Sequence, residues 1–332
     1  MQQIDKSGML KAITDSPAHI FPAYESAKYT VPKDPINSII IAGIGGSAIG
    51  GKLLKEYTDF LGLRIPLSVV NTYDLPENIG KDTLVFVSSY SGETEETLSC
   101  MRQAMKKNCQ IVGVATGGTV KQICDEKQFL CIMLPKGLQP RAAMLYGFFP
   151  ILRVLVNKKL ISDQENDIKK TVLLMKSESV QKKGIELAEL FTNKLPIIYA
   201  SSSLASVAYR WKTQINENAK TLAISNHLPE LDHNEINGFG NIKIKPHVVM
   251  LRESHDHVRV KKRFDITKDI IKTKGVDVSL IDLKGESFLA NMFAAVHMGD
   301  FASYYLAIRY ATDPSPVPVI ENLKKQMGKW DG

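Results

Sequence analysis

The apolar positions fall into short, nearly unbroken runs, separated by longer segments of helical period. Residues 38–44 (SIIIAGI) form a β-branched run that stops at Gly45 and Gly46, and AIGGKLLKEYTDFL (48–61) follows with apolar residues three and four apart. That predicts a buried strand and then a helix. Further strands are predicted near 67–71 (in PLSVVNT) and 83–88 (in TLVFVSS), and in QIVGVAT (110–116) and FLCIMLP (129–135). Between them GETEETLSCMRQAMKKN (92–108) reads as a helix, acidic in its first turn and basic in its last, as the macrodipole prefers. Strands that are apolar on both faces and alternate with helices predict a parallel sheet covered on both sides.

From Arg141 to about Lys194 the period is helical throughout. A second series then opens with LPIIYASSS (195–203), a strand and Ser-rich turn, and the helix LASVAYRWKTQINENAK (204–220). HVVMLR (247–252), RVKKRFDITKDIIKTKG (259–275) and VDVSLIDL (276–283) continue it as strand, helix, strand. The two series repeat one α/β unit. An apolar helical region spans 287–311, and a last short helix follows Asp313-Pro314-Ser315-Pro316, with Ser315 as its cap and Pro316 in its first turn. The first residues carry little pattern. With 332 residues and ~150 per domain, two domains are expected, an N-terminal one over 1–153 and a C-terminal one over 154–332.

Composition narrows the class. Hydrophobic residues make up 44% and charged residues 23%, enough apolar matter for a large core and incompatible with wholesale disorder. No apolar run approaches the ~20 residues of a membrane helix, and MQQIDKSGML lacks a signal-peptide pattern, so a cytoplasmic protein is expected. Four cysteines without a Cys-x-x-Cys pair predict reduced, mostly buried thiols. The net charge of +7 favours an anionic partner. Lysines occur as scattered doublets, and the one cluster, Arg259 to Arg263, has no interleaved aromatics and reads as a solvated helix face. A small anion is therefore expected, with no nucleic acid and no membrane.

Two loops suit such an anion. Gly43-Ile44-Gly45-Gly46-Ser47-Ala48 lies between a strand and a helix, where small residues let backbone amides approach an oxyanion. It fits a loose dinucleotide fingerprint, but the second strand ends in Asn71-Thr72 instead of the acidic ribose ligand, which disfavours a nicotinamide-dependent oxidoreductase. Ser88-Ser89-Tyr90-Ser91-Gly92-Glu93-Thr94 brings several hydroxyls to the end of the third strand. Ser91 or Thr94 could each serve only as a helix cap. Together the two loops predict a crevice beyond the strand ends that suits a phosphate monoester.

The segments IAGIGGSAIG (41–50), SSYSGETEET (88–97), GLQPRAA (137–143), NENAK (216–220), LPELDHNEI (228–236) and IENLKK (320–325) occur in that order. Together they resemble the bifunctional phosphoglucose/phosphomannose isomerases over nearly the whole chain. The resemblance implies two flavodoxin-like sugar-isomerase (SIS) domains, a homodimer with shared active sites, and no cofactor or metal. It implies interconversion of glucose 6-phosphate or mannose 6-phosphate with fructose 6-phosphate through a cis-enediolate, a step of central carbohydrate metabolism. On this chain the family's phosphate loop falls on Gly46, Ser47, Ser89, Ser91 and Thr94. Its arginine falls on Arg141 after Gln139-Pro140, its catalytic glutamate on Glu217, its histidine on His233 and its lysine on Lys324. Glu93 departs from the asparagine of many relatives, and it is expected to point away from the phosphate.

The chemistry makes sense of these types. Moving a proton between C1 and C2 needs one base, for which a partly desolvated carboxylate such as Glu217 is suited; the plain alternative is a surface pair with Lys220. A fixed guanidinium, Arg141, stabilises enediolate charge. His233, beside Asp232, and Lys324 would open and close the ring. Lys324 also flanks an apolar stripe of Ile320, Leu323 and Met327, the usual place for a snorkelling lysine. His255 and His257 are assigned no role. A non-catalytic sugar-phosphate sensor is the main rival, and an amidotransferase-coupled enzyme is disfavoured because no N-terminal cysteine nucleophile is present.

Overall fold

The runs at 38–42, 83–88, 110–115, 195–201 and 246–253 are strands buried on both sides, whereas those at 67–70, 130–133 and 277–283 are strands that stay partly exposed. A computed structural model of the chain describes residues 3–138 and 141–328. Helix α1 (Met9–Asp15) begins where both carboxylate oxygens of Asp5 accept backbone N–H groups, from Met9 at 2.8 Å and Leu10 at 2.9 Å. After α2 (Ile20–Glu25) come β1 (Ser38–Ala42), α3 (Gly46–Phe60), β2 (Leu67–Val70), β3 (Thr83–Ser88), α4 (Glu95–Lys106), β4 (Gln110–Ala115), α5 (Gly118–Lys127), β5 (Leu130–Met133) and α6 (Leu145–Asn157). The second series runs α7 (Glu165–Met175), α8 (Glu178–Phe191), β6 (Leu195–Ser201), α9 (Ala205–Ala219), β7 (Ile224–Leu228), β8 (Pro246–Glu253), α10 (Val258–Thr273), β9 (Asp277–Leu283), α11 (Phe288–Arg309) and α12 (Pro318–Met327).

The fold is α/β with two parallel sheets, ordered β2-β1-β3-β4-β5 and β7-β6-β8-β9. The first is the flavodoxin order, in which the chain leaves β1 one way and returns past it the other way. Right-handed crossovers then put α3 on one face of the sheet and α4 and α5 on the opposite face. Ile40, Ala42, Val85 and Val87 pack under α4 and α5 with Leu98, Met101 and Val120. On the other face Gly51 of α3 rests against Ile41, and Gly50 meets the backbone of Gly147 in α6, where a Cβ would come within 2.8 Å. In the second sheet Tyr199, Val248 and Met250 pack with Phe264 and Ile271 of α10. α11 is buried along almost its whole length, the expected fate of a helix apolar on every side.

Two compact units result, Ala18–Gln164 with Asn322–Gly332, and Met1–Pro17 with Glu165–Glu321. A boundary between 153 and 154 would fall inside α6, whose apolar residues belong to the first sheet's packing, and the chain crosses between units eleven residues later. Two further departures have local causes. β7 (ISNHL) was not expected as a strand; it is an edge strand held by backbone pairing to β6 alone, which does not require apolar alternation. α12 starts at Pro318 and not at Pro316 with Ser315 as its cap, because Asp313 Oδ1 accepts the Ser315 N–H at 3.0 Å and holds that stretch as a turn.

Candidate active site

The strand order of the first sheet reverses between β1 and β3, and the two serine-bearing loops leave from those strand ends. Their close approach needs a glycine: a Cβ on Gly43 would lie 2.8 Å from the Ser88 carbonyl oxygen and 3.1 Å from Ser47 Cβ. Ser47 thus stands on the first turn of α3 beside the end of β3, with Gly45 at a positive φ of 57° as the entry. The β3–α4 loop is organised around Ser89, which is buried. Its Oγ accepts the Gly92 N–H at 3.1 Å and shares a hydrogen bond with Thr94 Oγ1 at 2.9 Å. Thr94 occupies the N-cap position of α4, but its hydroxyl makes no capping bond. The capping explanation of Thr94 therefore does not hold, whereas Ser91 Oγ does accept the Glu93 N–H at 3.2 Å.

Glu93 turns away from its own loop. Its carboxylate accepts the Thr119 N–H at 2.7 Å and the Thr119 hydroxyl at 2.8 Å, so it caps the start of α5, where negative charge is favoured. The β3–α4 loop is packed so tightly there that a Cβ on Gly92, at φ +77°, would come 2.0 Å from the Gly117 carbonyl oxygen. Tyr90 of the same loop reaches the segment before Arg141: its hydroxyl donates to the Pro135 carbonyl at 2.9 Å and accepts the Leu138 N–H at 2.8 Å. Gln139 and Pro140 lie outside the described residues. Arg141, 5% exposed, heads the short turn Ala142–Met144 that packs on α3. Ser47, Ser89, Ser91, Thr94 and Arg141 are thus brought into one unit, on loops fastened to one another.

Glu217 lies in the last turn of α9. The rotation of that helix is fixed by buried polar contacts to α11: Arg210 Nη2 donates to Asp300 Oδ1 at 2.9 Å, Asn218 donates to Ser303 Oγ at 2.9 Å, and Trp211 donates to the Ala295 carbonyl at 2.8 Å. With those side chains committed inward, Glu217 faces a groove of about 410 Å³ that Lys220, Leu222, Val317 and Ile320 also line. Lys220, at φ +53°, ends the helix, and its ammonium donates to the carbonyls of Glu217, Asn218 at 3.4 Å and Pro314 at 3.2 Å. His233 is exposed on the turn Glu230–His233. Lys324 is exposed on α12, which has no buried residue; Val319, Leu323 and Met327 are 81%, 58% and 59% exposed.

The second sheet has an equivalent reversal between β6 and β8, and its chemistry is different. Ser203 Oγ donates to Asp256 Oδ1 at 2.9 Å, and Asp256 Oδ2 accepts the Glu253 N–H at 2.9 Å. Burial, the larger influence, pushes the Asp256 carboxyl up, against the hydrogen bonds that lower it. Glu253, fully buried, accepts from Asn291 Nδ2 at 2.5 Å. Where the first crevice presents hydroxyls, the second holds two internal carboxylates. Its serines at 201 and 203 were visible in the sequence, but Asp256, the acid that engages them, stands some fifty positions away.

A family model described as the bacterial phospho-glucose isomerase C-terminal SIS domain matches residues 180–327. A bifunctional phosphoglucose/phosphomannose isomerase of Caldicellulosiruptor bescii is 40% identical, over 97% of this chain and 99% of its own length. That decides the family. The chain belongs to the bifunctional phosphoglucose/phosphomannose isomerases. A second member, from Aquifex aeolicus, is 35% identical over 89% of this chain and 92% of its own. Among solved structures, a putative phosphosugar isomerase from Clostridium difficile shares the fold with a TM-score of 0.74 at 18% identity, covering 97% and 99% of the two chains.

The remaining residues singled out in the sequence have definite surroundings. All four cysteines are free thiols, three of them buried. His257 accepts the Arg259 N–H as the cap of α10, and His255 Nδ1 lies 3.0 Å from Glu253 Oε2. Asp232 is not turned to His233 but to Arg263 and Thr267, so Arg263 is a partner of the histidine's turn and not simply a solvated face. Among the described residues no helix is long and apolar enough to cross a membrane, and no group of three or more His, Cys, Asp or Glu could hold a metal ion.

Proposed function

We propose that this chain interconverts glucose 6-phosphate and mannose 6-phosphate with fructose 6-phosphate, through a cis-enediolate and with no cofactor. The observation that carries this reading is the hydroxyl-rich crevice at the β1/β3 reversal in a chain of this family, with the acid inside the β3–α4 loop, Glu93, tied to Thr119. In it Gly46, Ser47, Ser89, Ser91 and Thr94 hold the phosphate. Arg141 stabilises the oxyanion that develops as the C2 proton leaves, because its charge is permanent and its buried setting strengthens the interaction. Glu217 takes that proton and returns it to C1, or the reverse; His233 and Lys324 move the protons of ring opening and closure.

The working form in this reading is a cytoplasmic homodimer with shared active sites. The free thiols suit a reducing compartment, and a turn that leaves His233 exposed suits an imidazole offered to a partner. Incubation with fructose 6-phosphate in D₂O containing EDTA, followed by proton NMR, tests the reaction. Glucose 6-phosphate and mannose 6-phosphate carrying deuterium at C2 are expected. Absence of both products and of exchange, with phosphate-dependent binding intact, would leave a sugar-phosphate sensor instead.

A further inference from the structure

The turn that carries His233 is fastened on both sides of the histidine by carboxylates that face the body of the unit. Immediately before it, Asp232 Oδ2 accepts from Arg263 Nη1 at 2.9 Å and Oδ1 from Thr267 Oγ1 at 2.8 Å. Arg263 and Thr267 lie four apart on α10, so a single helix face supplies both donors. Two positions after it, Glu235 Oε1 accepts from the Tyr199 hydroxyl at 2.6 Å and Oε2 from Asn226 Nδ2 at 2.5 Å. Tyr199 is fully buried in β6 and Asn226 lies on the neighbouring strand β7, so this second carboxylate is bound to the sheet. Burial, and then the Glu235 carboxylate, push the Tyr199 phenol well above its ordinary range, so it remains a donor. Between the two anchors Asn234 closes the turn locally, donating to Glu230 Oε1 at 3.0 Å.

All four oxygens of the flanking acids are thereby engaged, and none of these bonds is made to the imidazole. A carboxylate beside a histidine commonly acts on it through charge; here the effect is geometric. Pinning residues 232 and 235 to two different elements leaves residue 233 little freedom except to project outward, where the structure puts it. Catalysis by an exposed imidazole is sensitive to this, since a misplacement of about 1 Å can reduce a rate by up to ~10².

We propose that Asp232, held by Arg263 and Thr267, and Glu235, held by Tyr199 and Asn226, are positioning residues that set the direction in which His233 is presented. The inference rests on the ring-opening role given to His233 above, and its test separates the two.

The test is a double-mutant cycle on the isomerisation of fructose 6-phosphate, with kcat, KM and melting temperature measured for each variant. Arg263→Ala should lower kcat by about tenfold and leave KM within about twofold, because the phosphate is held elsewhere. In a His233→Ala background the same substitution should have no further effect, because a residue acting only through His233 has nothing left to position. Arg263→Lys, which retains a donor and the charge, should restore most of the rate. Tyr199→Phe keeps the buried ring and should behave like Arg263→Ala, which provides an independent readout if the arginine variant melts. Equal losses in the two backgrounds would make the clamp merely structural and overturn the proposal, as would unchanged kcat in both anchoring variants. An unchanged kcat in His233→Ala alone would remove the catalytic role of the histidine, and the positioning role with it.

Discussion

Ser89 does two things at once, and that makes it the sharpest single position in the phosphate loop. Its Oγ satisfies the Gly92 amide and orients the Thr94 hydroxyl. Ser89→Ala leaves the Gly92 N–H its bond to the Ser89 carbonyl at 3.1 Å but deletes the Oγ bonds to that amide and to the Thr94 hydroxyl, a loss of about 0.5–1.5 kcal/mol per bond, and it also removes a ligand of the proposed phosphate site. The expected result is a modest fall in melting temperature with a KM for fructose 6-phosphate raised at least tenfold; an unchanged KM would exclude Ser89 from the site. His297 is informative about stability. It is 2% exposed, 3.4 Å from Ser16 Oγ and packed edge-on to Phe301, and burial, helped by Arg210, lowers its pKa to about 4. An unfolded histidine takes its proton near pH 6.5, so this residue contributes stability that is present above that value and lost as pH falls toward 4. The loss is on the order of 3 kcal/mol over that window. Denaturant unfolding at pH 7 and pH 4.5 should show a smaller difference in His297→Gln than in the unaltered protein.

At the scale of elements, the same strand–turn–helix unit occurs twice with different chemistry at its reversal point. The crevice beside β1 and β3 is lined by hydroxyls, and that beside β6 and β8 is filled by Asp256 and Glu253. One buried and one half-buried carboxylic acid make a poor setting for a phosphate dianion, so one sugar phosphate per chain is expected. Isothermal titration with fructose 6-phosphate should give a stoichiometry near one and should lose its heat in Ser89→Ala. A second equivalent persisting in that variant would contradict this assignment of the second crevice. The α9–α11 seam shows how an element carries a site without touching it. Arg210, Asn218 and Trp211 fix the helix's rotation, and Glu217 faces the groove as a consequence.

For the molecule as a whole, the proposed sharing of sites between two copies leads to a quantitative expectation. If His233 serves the partner's site, a dimer made of one Glu217→Ala chain and one His233→Ala chain has one site with both residues intact. Co-expression of two inactive variants would then recover roughly a quarter of normal activity, since half of the dimers are mixed and half of their sites are complete. No recovery, with mixed dimers demonstrated by differential tagging, would place Glu217 and His233 of one chain in the same site.

Much of this protein was legible in the sequence because the signals are local. β1, β3, β4 and β6 are apolar on both faces and announce themselves by composition, and the order of six short segments points to the family and its candidate residues. What stayed hidden depends on partners distant in the chain. β7 is an edge strand whose existence rests on backbone pairing with β6. The direction of Glu93 was decided by Thr119, the surroundings of His233 by Arg263, Thr267, Tyr199 and Asn226, and the closed second crevice by Asp256 and Glu253. Periodicity and turn chemistry act over a few residues, so the sequence by itself determined the apolar strands, the loops that follow them and the candidate residues. A hydrogen bond between residues tens of positions apart exists only once the sheet has formed, so which way each charged side chain faces was decided by the tertiary structure alone.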